Sequence, residues 1–165
     1  FVEPDGPSVA AQIANFSLLL PAVGDELKTA TKLADWGATA RYGDKGLVTR
    51  QLAKGLADYR QGQFASAVSS MDQAAANASK QDLIGWTRER ERNRTVAAYI
   101  VQAMALYQLK QTREAREALA KATGLMQTQF PQMDSGDLGR EWPELLIAQI
   151  LRREAEALIG GASGN

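Results

Sequence analysis

The side chains able to carry chemistry are few in kind. The 165-residue chain contains no His and no Cys. That removes imidazole acid–base catalysis, Ser-His-Asp triads, thiolate chemistry, disulfides and almost all zinc sites. A reaction centre would have to be assembled from Asp, Glu, Lys, Tyr, Ser and Arg. Two stretches concentrate such groups: WTRERERNRTV over residues 86–96 and LRREAEAL over residues 151–158. The first would suit a clamp for phosphate or an acidic peptide. Its Glu residues alternate with its Arg residues and neutralise part of their field, so it reads as the solvated start of a helix. In the second, Glu154 falls in line with Ile150 and Leu158. That predicts a partly buried carboxylate paired with an Arg, fixing a closing helix. A catalytic carboxylate needs a second group and a pocket, and the sequence shows neither. The chain is therefore expected to be non-catalytic, with no cofactor and no metal.

Charge sets the class of partner. Nineteen basic residues balance nineteen acidic ones. No excess positive charge points to nucleic acid or to an anionic membrane. No apolar run approaches the ~20 residues of a membrane helix, and the stretch ANFSLLLPAV is broken by Pro21. Membrane insertion of this segment is not expected. The sequence specifies no compartment, and a cytoplasmic setting is the expectation. Residues 1–7 read as a flexible lead-in and 160–165 as a flexible tail, the whole being read as a segment of a longer protein.

The elements that would position these groups are all helical. From Ser8, Val9, Ile13, Phe16 and Leu20 recur at three- and four-residue steps, and Pro21 and Gly24 end that helix. Asp25 is a candidate N-cap for a second helix with Leu27, Ala30, Ala34 and Ala38 on one stripe. Helices follow over about Leu47–Gln61, Phe64–Asn77, Glu89–Leu109, Thr112–Gln127 and Trp142–Ile159. A short helical piece is expected at Lys80–Trp86. Ala67, Met71 and Ala74 should face inward, as should Val96, Ile100, Ala103 and Tyr107. The same holds for Ala115, Leu119 and Ala122, and for Leu146, Ile150 and Leu158. Trp36 should fill space between hairpins and Trp142 should staple the last helix. Abundant Ala and the absence of alternating segments predict an all-α chain of about seven helices.

Two segments match without gaps. Residues 55–74 pair Gly55 with Ala103, Ala57 with Ala105, Tyr59 with Tyr107, Ala67 with Ala115, Met71 with Leu119 and Ala74 with Ala122 in residues 103–122. Small residues recur where the two helices of a hairpin cross, because a larger side chain there would push the helices apart. This pattern resembles the tetratricopeptide repeat: Gly55, Tyr59, Gly62, Phe64, Ala67 and Ala74 in one unit, Ala103, Tyr107, Ala115 and Ala122 in the next. Lys110 and Thr112 depart from the turn Gly and aromatic. The units lie about 48 residues apart, against ~34 for the repeat, with the excess in an elongated connection over residues 77–94. The segments RQLAKGLADYRQGQFASAV, ALYQLKQTREAREALAKA and LLIAQILRREAEALI also look similar, in order, to the C-terminal repeat region of large bacterial serine/threonine kinases common in planctomycetes. The kinase signatures themselves are absent from this chain.

The resemblance implies a helical-hairpin solenoid and a non-catalytic protein–protein interaction domain. Its partner would be a peptide, a partner domain or a neighbouring domain of the same parent chain. In such stacks the first helix of each hairpin lines the concave groove, which makes Tyr59, Arg60, Tyr107 and Gln108 candidate contact residues. Trp86 and Arg88, an aromatic beside basic residues in the polar connection, are two more. A regulatory small-ligand domain controlling an attached kinase or transcription domain is the alternative. A structural spacer would follow if the chain's own helices fill the concave face. A homodimer is also compatible with these features.

Overall fold

The computed structural model describes residues 6–39, 46–80, 86–131 and 142–161, without the side chains of residues 80 and 86–88. Among the described residues there are seven helices and no strand: α1 (Pro7–Ser17), α2 (Gly24–Thr39), α3 (Leu47–Arg60), α4 (Phe64–Lys80), α5 (Trp86–Gln108), α6 (Thr112–Gln129) and α7 (Trp142–Gly160). The chain is all-α as the sequence predicts. The helical piece expected at Lys80–Trp86 lies largely outside the described residues.

Each helix packs on its neighbour in sequence. In addition, α1, α3, α5 and α7 touch one another in a row. Ala67, Ala74, Ala103, Ala115 and Ala122 are all fully buried, so the small residues shared by the two matching segments do sit inside. Gly55 shows how tight one crossing is. A Cβ there would overlap the Met71 methyl and lie 3.1 Å from Ser70 Cβ and 3.3 Å from the Ala67 carbonyl oxygen.

The two hairpin turns are built alike. After α3, Gly62 takes a left-handed conformation (φ 76°), its N–H bonds the Tyr59 carbonyl and the Gln63 N–H bonds that of Asp58. After α5, Lys110 does the same at φ 66°, with Lys110 N–H to the Tyr107 carbonyl and Gln111 N–H to that of Leu106. These paired bonds satisfy carbonyls that a helix end leaves without partners. The second turn thus keeps the geometry although its residue pays the Cβ penalty that Gly avoids.

Five sequence expectations are corrected. The stripe Val9, Ile13, Phe16 and Leu20 lies exposed. α1 instead packs through Ala10, Ala11 and Ala14, and Leu18 just past its end is buried too. Its approach to α2 is too close for larger groups, since a Cβ on Gly37 would lie 3.3 Å from that of Ala11. Asp25 lies inside α2 rather than capping it, and Ala38 is exposed. On α7 the buried set is Leu145, Ile147, Ala148, Leu151, Ala155 and Ile159, leaving Leu146, Ile150 and Leu158 half-buried. This helix is apolar over much of its circumference, so its rotation is set by packing on α5 rather than by its own pattern. Trp142 is half-exposed and does not staple α7. Trp36 packs against the core as expected.

Two substitutions test the crossing and the turn. Gly55→Ala gains about 1 kcal/mol of helix propensity but overfills the crossing. Overpacking of this kind typically costs about 1–3 kcal/mol, so a net loss is expected. Lys110→Gly is expected to stabilise by about 1 kcal/mol. Urea denaturation of each variant measures both.

Candidate functional site

One guanidinium closes the row of odd-numbered helices. Arg60, in the last turn of α3, donates from Nε to the Leu18 carbonyl (3.0 Å) and from Nη2 to the Leu19 carbonyl (2.9 Å). It also grips the Glu154 carboxylate with both terminal nitrogens, Nη2 to Oε2 at 2.7 Å and Nη1 to Oε1. Arg60 therefore caps the C-terminus of α1 and pins α7 across α3. The side chain of Glu154 is 27% exposed and that of Arg60 6%. The sequence expectation of a partly buried Glu154 paired with an Arg is met. The planar fork is suited to this two-point grip, which a Lys could not reproduce.

Along the same row, the charge run of α5 turns inward. Glu91, Asn93, Arg94 and Thr95 are buried, as are Asn15 of α1, Thr49 and Arg50 of α3, and Glu144 of α7. Arg94 is the hub. Its Nη1 donates to Thr49 Oγ1 and to Glu91 Oε1 (3.1 Å), and its Nη2 lies 3.1 Å from Glu144 Oε1. Arg90 Nε stands 3.7 Å from the same Glu144 oxygen at a more exposed position. Asn15 Nδ2 donates to the Thr49 carbonyl at 3.2 Å. The expectation of a solvated charge run holds for Glu89 and Arg92, which are exposed, and is corrected for Glu91 and Arg94, which are buried against α3 and α7.

These helices leave a cavity of ≈ 140 Å³ between them. Gln12, Asn15, Thr49, Arg90, Arg94 and Glu144 supply its polar wall; Phe16, Leu52, Ala97, Pro143 and Ile147 supply its apolar wall. Asn15 Oδ1 is buried with no hydrogen-bond partner. Among the described residues no group of three or more Asp or Glu is placed to hold a metal ion.

The candidate contact residues are distributed otherwise. Tyr59 is buried, its ring 5.7 Å from that of Phe64, and it pairs with Gln108. Tyr107 and Gln108 are half-buried. Arg60 has its donors occupied as described. Tyr59 thus meets both Arg60 and Gln108, and Arg60 meets the chain's own α7, while Tyr107 packs against the cluster of Ala103, Leu106, Ala115, Ala118 and Ile159. Trp86 and Arg88 begin α5, and their side chains lie outside the described residues. The polar cavity residues were missed. A signal existed: Glu91, Arg94, Ala98, Val101 and Ala105 continue one three- and four-residue stripe back into the charge run.

Two ionisations respond to this packing. Burial pushes the Tyr59 phenol above its ordinary value, and the Glu154 charge adds to the rise. For Lys54, burial acts to lower the value, but Asp35 at 2.8 Å and Asp58 at 2.6 Å outweigh it and raise it. No family model matches the chain, and no curated protein or solved structure matches it either.

Arg94→Met leaves Glu91 and Glu144 buried without their shared cation and is expected to cost about 3–5 kcal/mol. Adding Glu91→Gln and Glu144→Gln should recover much of that loss, as equilibrium denaturation would show. For Tyr59 and Lys54 the folded-state values lie above the unfolded ones. Their contribution to stability is complete below about pH 10 and is lost as pH rises through the raised values. Stability measured between neutral and strongly alkaline pH should fall only at the alkaline end. Tyr59→Phe should make that fall shallower by up to about 1.4 kcal/mol per pH unit.

Proposed function

We propose that the chain is a non-catalytic, tetratricopeptide-like interaction module that docks a partner protein or a neighbouring domain through the outer face of α1. The like-built turns at Gly62 and Lys110, the buried Ala residues shared by the two hairpins, and the row α1–α3–α5–α7 support the repeat reading. Such stacks expose long surfaces for partners. A peptide along Tyr59 and Arg60, as the resemblance implies, would have to displace α7, because Glu154 already occupies Arg60.

The observation that carries this reading is the exposed apolar line Val9 (41%), Ile13 (42%), Phe16 (55%), Leu20 (68%) and Val23 (78%). Scattered exposed apolar residues are ordinary, but a contiguous line of large ones marks an interaction face. The line continues into a shallow groove against α2, floored by Ala30 and Leu33 and rimmed by Asp25 and Glu26. With no helix among the described residues long and apolar enough to cross a membrane, the line reads as a protein-facing surface.

Photocrosslinking residues placed at Val9, Ile13 and Leu20 of the chain should give discrete adducts, while one at the exposed Glu117 of α6 should not. Ile13→Asp combined with Leu20→Asp should abolish adducts from Val9 and change folding stability by less than about 0.5 kcal/mol. Equal labelling at Glu117, or adducts that survive the double substitution, would refute the docking face.

A further inference from the structure

The stretch that carries the apolar line is uncharged, which narrows what can cover it. Residues 6–24 hold no Asp, Glu, Lys or Arg. Within them Val9, Ile13, Phe16, Leu20 and Val23 recur at steps of four, three, four and three residues. That is the 3.5-residue period by which one helix meets another along a seam. Val9, Ile13 and Phe16 lie on α1, and Leu20 and Val23 lie in the segment beyond it. Phe16 shares a cavity wall with Pro143, so the start of α7, with its half-exposed Trp142, flanks the line. A partner of different chemistry is selected by charges that pair or repel, and this face carries none. Of the acidic groups that follow it, Asp25 is already matched by Lys28 at 3.0 Å. An uncharged apolar face is complementary to itself. A two-fold interface requires that property, because the same patch meets its own copy. Nineteen basic and nineteen acidic residues leave no net charge to keep two copies apart.

We propose that the face is covered by a second copy of this chain, giving a two-fold dimer with the two α1 helices side by side. The proposal rests on the docking face argued above and names its occupant. Large apolar residues each carry about 150–200 Å² of surface, so at their exposures the five of the line offer roughly 500 Å². Two copies then bury roughly 1,000 Å² through the line alone, the lower end of specific interfaces. The flanking Gln12, Ser17 and Trp142 add to it. An interface of this size gives a dissociable dimer, with a Kd of about 1–100 µM.

The test is sedimentation equilibrium of the purified chain from about 5 to 500 µM. The mass should rise from one chain to two and stop there, since a two-fold contact closes. Raising NaCl from about 0.1 to 1 M should not weaken the dimer, because no charge lies in the seam. Ile13→Asp combined with Leu20→Asp, both at exposed positions, should raise Kd about tenfold or more and leave the circular dichroism spectrum unchanged. A photocrosslinker at Val9 should join two chains in the purified protein. A chain that stays monomeric to about 500 µM would overturn the proposal. So would a dimer untouched by the double substitution, one weakened by salt, or a mass that climbs past two chains. Should the chain be monomeric and Val9 crosslink a different protein, the second copy is refuted and the docking face stands. Should it be monomeric and Val9 crosslink nothing in cell extract, both are refuted.

Discussion

The fold depends on how near its helices come. At Gly55 the helices approach so closely that a Cβ would overlap the Met71 methyl, and Ala67, Ala74, Ala115 and Ala122 are fully buried at the matching places. Dispersion attraction falls off steeply with separation, so small residues at a crossing gain contact along both helices at once. The constraint also explains α1. Its Ala face meets α2, and its large side chains are left outside because the crossing cannot admit them. The exposed apolar line is therefore a consequence of tight packing on the other side of the same helix, and the proposed docking face follows from it.

Close helices also cover charge. The row α1–α3–α5–α7 encloses Arg94, Glu91 and Glu144, and Arg60 ties α3 to the end of α1 and to α7. Buried ion pairs add little net stability compared with apolar packing, because desolvation offsets most of their attraction. Their effect is geometric. Arg94 has its hydrogen-bonding groups distributed over α3, α5 and α7, so only one placement of these helices leaves both carboxylates paired. Arg60 imposes the same kind of requirement at the far end of α7. These two residues select one arrangement among several that apolar contacts alone would tolerate.

That arrangement decides where function can reside. The surface expected to receive a peptide is occupied in part by α7, which meets Arg60 directly. Among the described residues an apolar line on α1 stays exposed, and a small cavity walled in part by paired charges lies between α1, α3, α5 and α7.

Much of the helical framework was legible in the residues. Gly62 marks a left-handed turn because only Gly adopts it without steric cost, and the match of residues 55–74 to 103–122 placed the buried Ala residues correctly. Glu154 could be read as paired because it interrupts an apolar stripe. Less was legible of the site. Lys110 takes the turn conformation against its own preference, since the paired backbone bonds around it outweigh the strain. The sequence alone determined that the chain is helical, that α3 turns into α4 at Gly62 and which positions of the two matching hairpins are small and buried, because those are local matters of backbone freedom and of spacing along one helix. Tertiary structure alone decided which face of α1 and α7 is inside, and that Glu91 and Arg94 of the charge run are buried while Glu89 and Arg92 stay exposed. Those outcomes depend on Thr49, Glu144 and Asn15 arriving from distant parts of the chain, and desolvation of a charge is set by its neighbours in space.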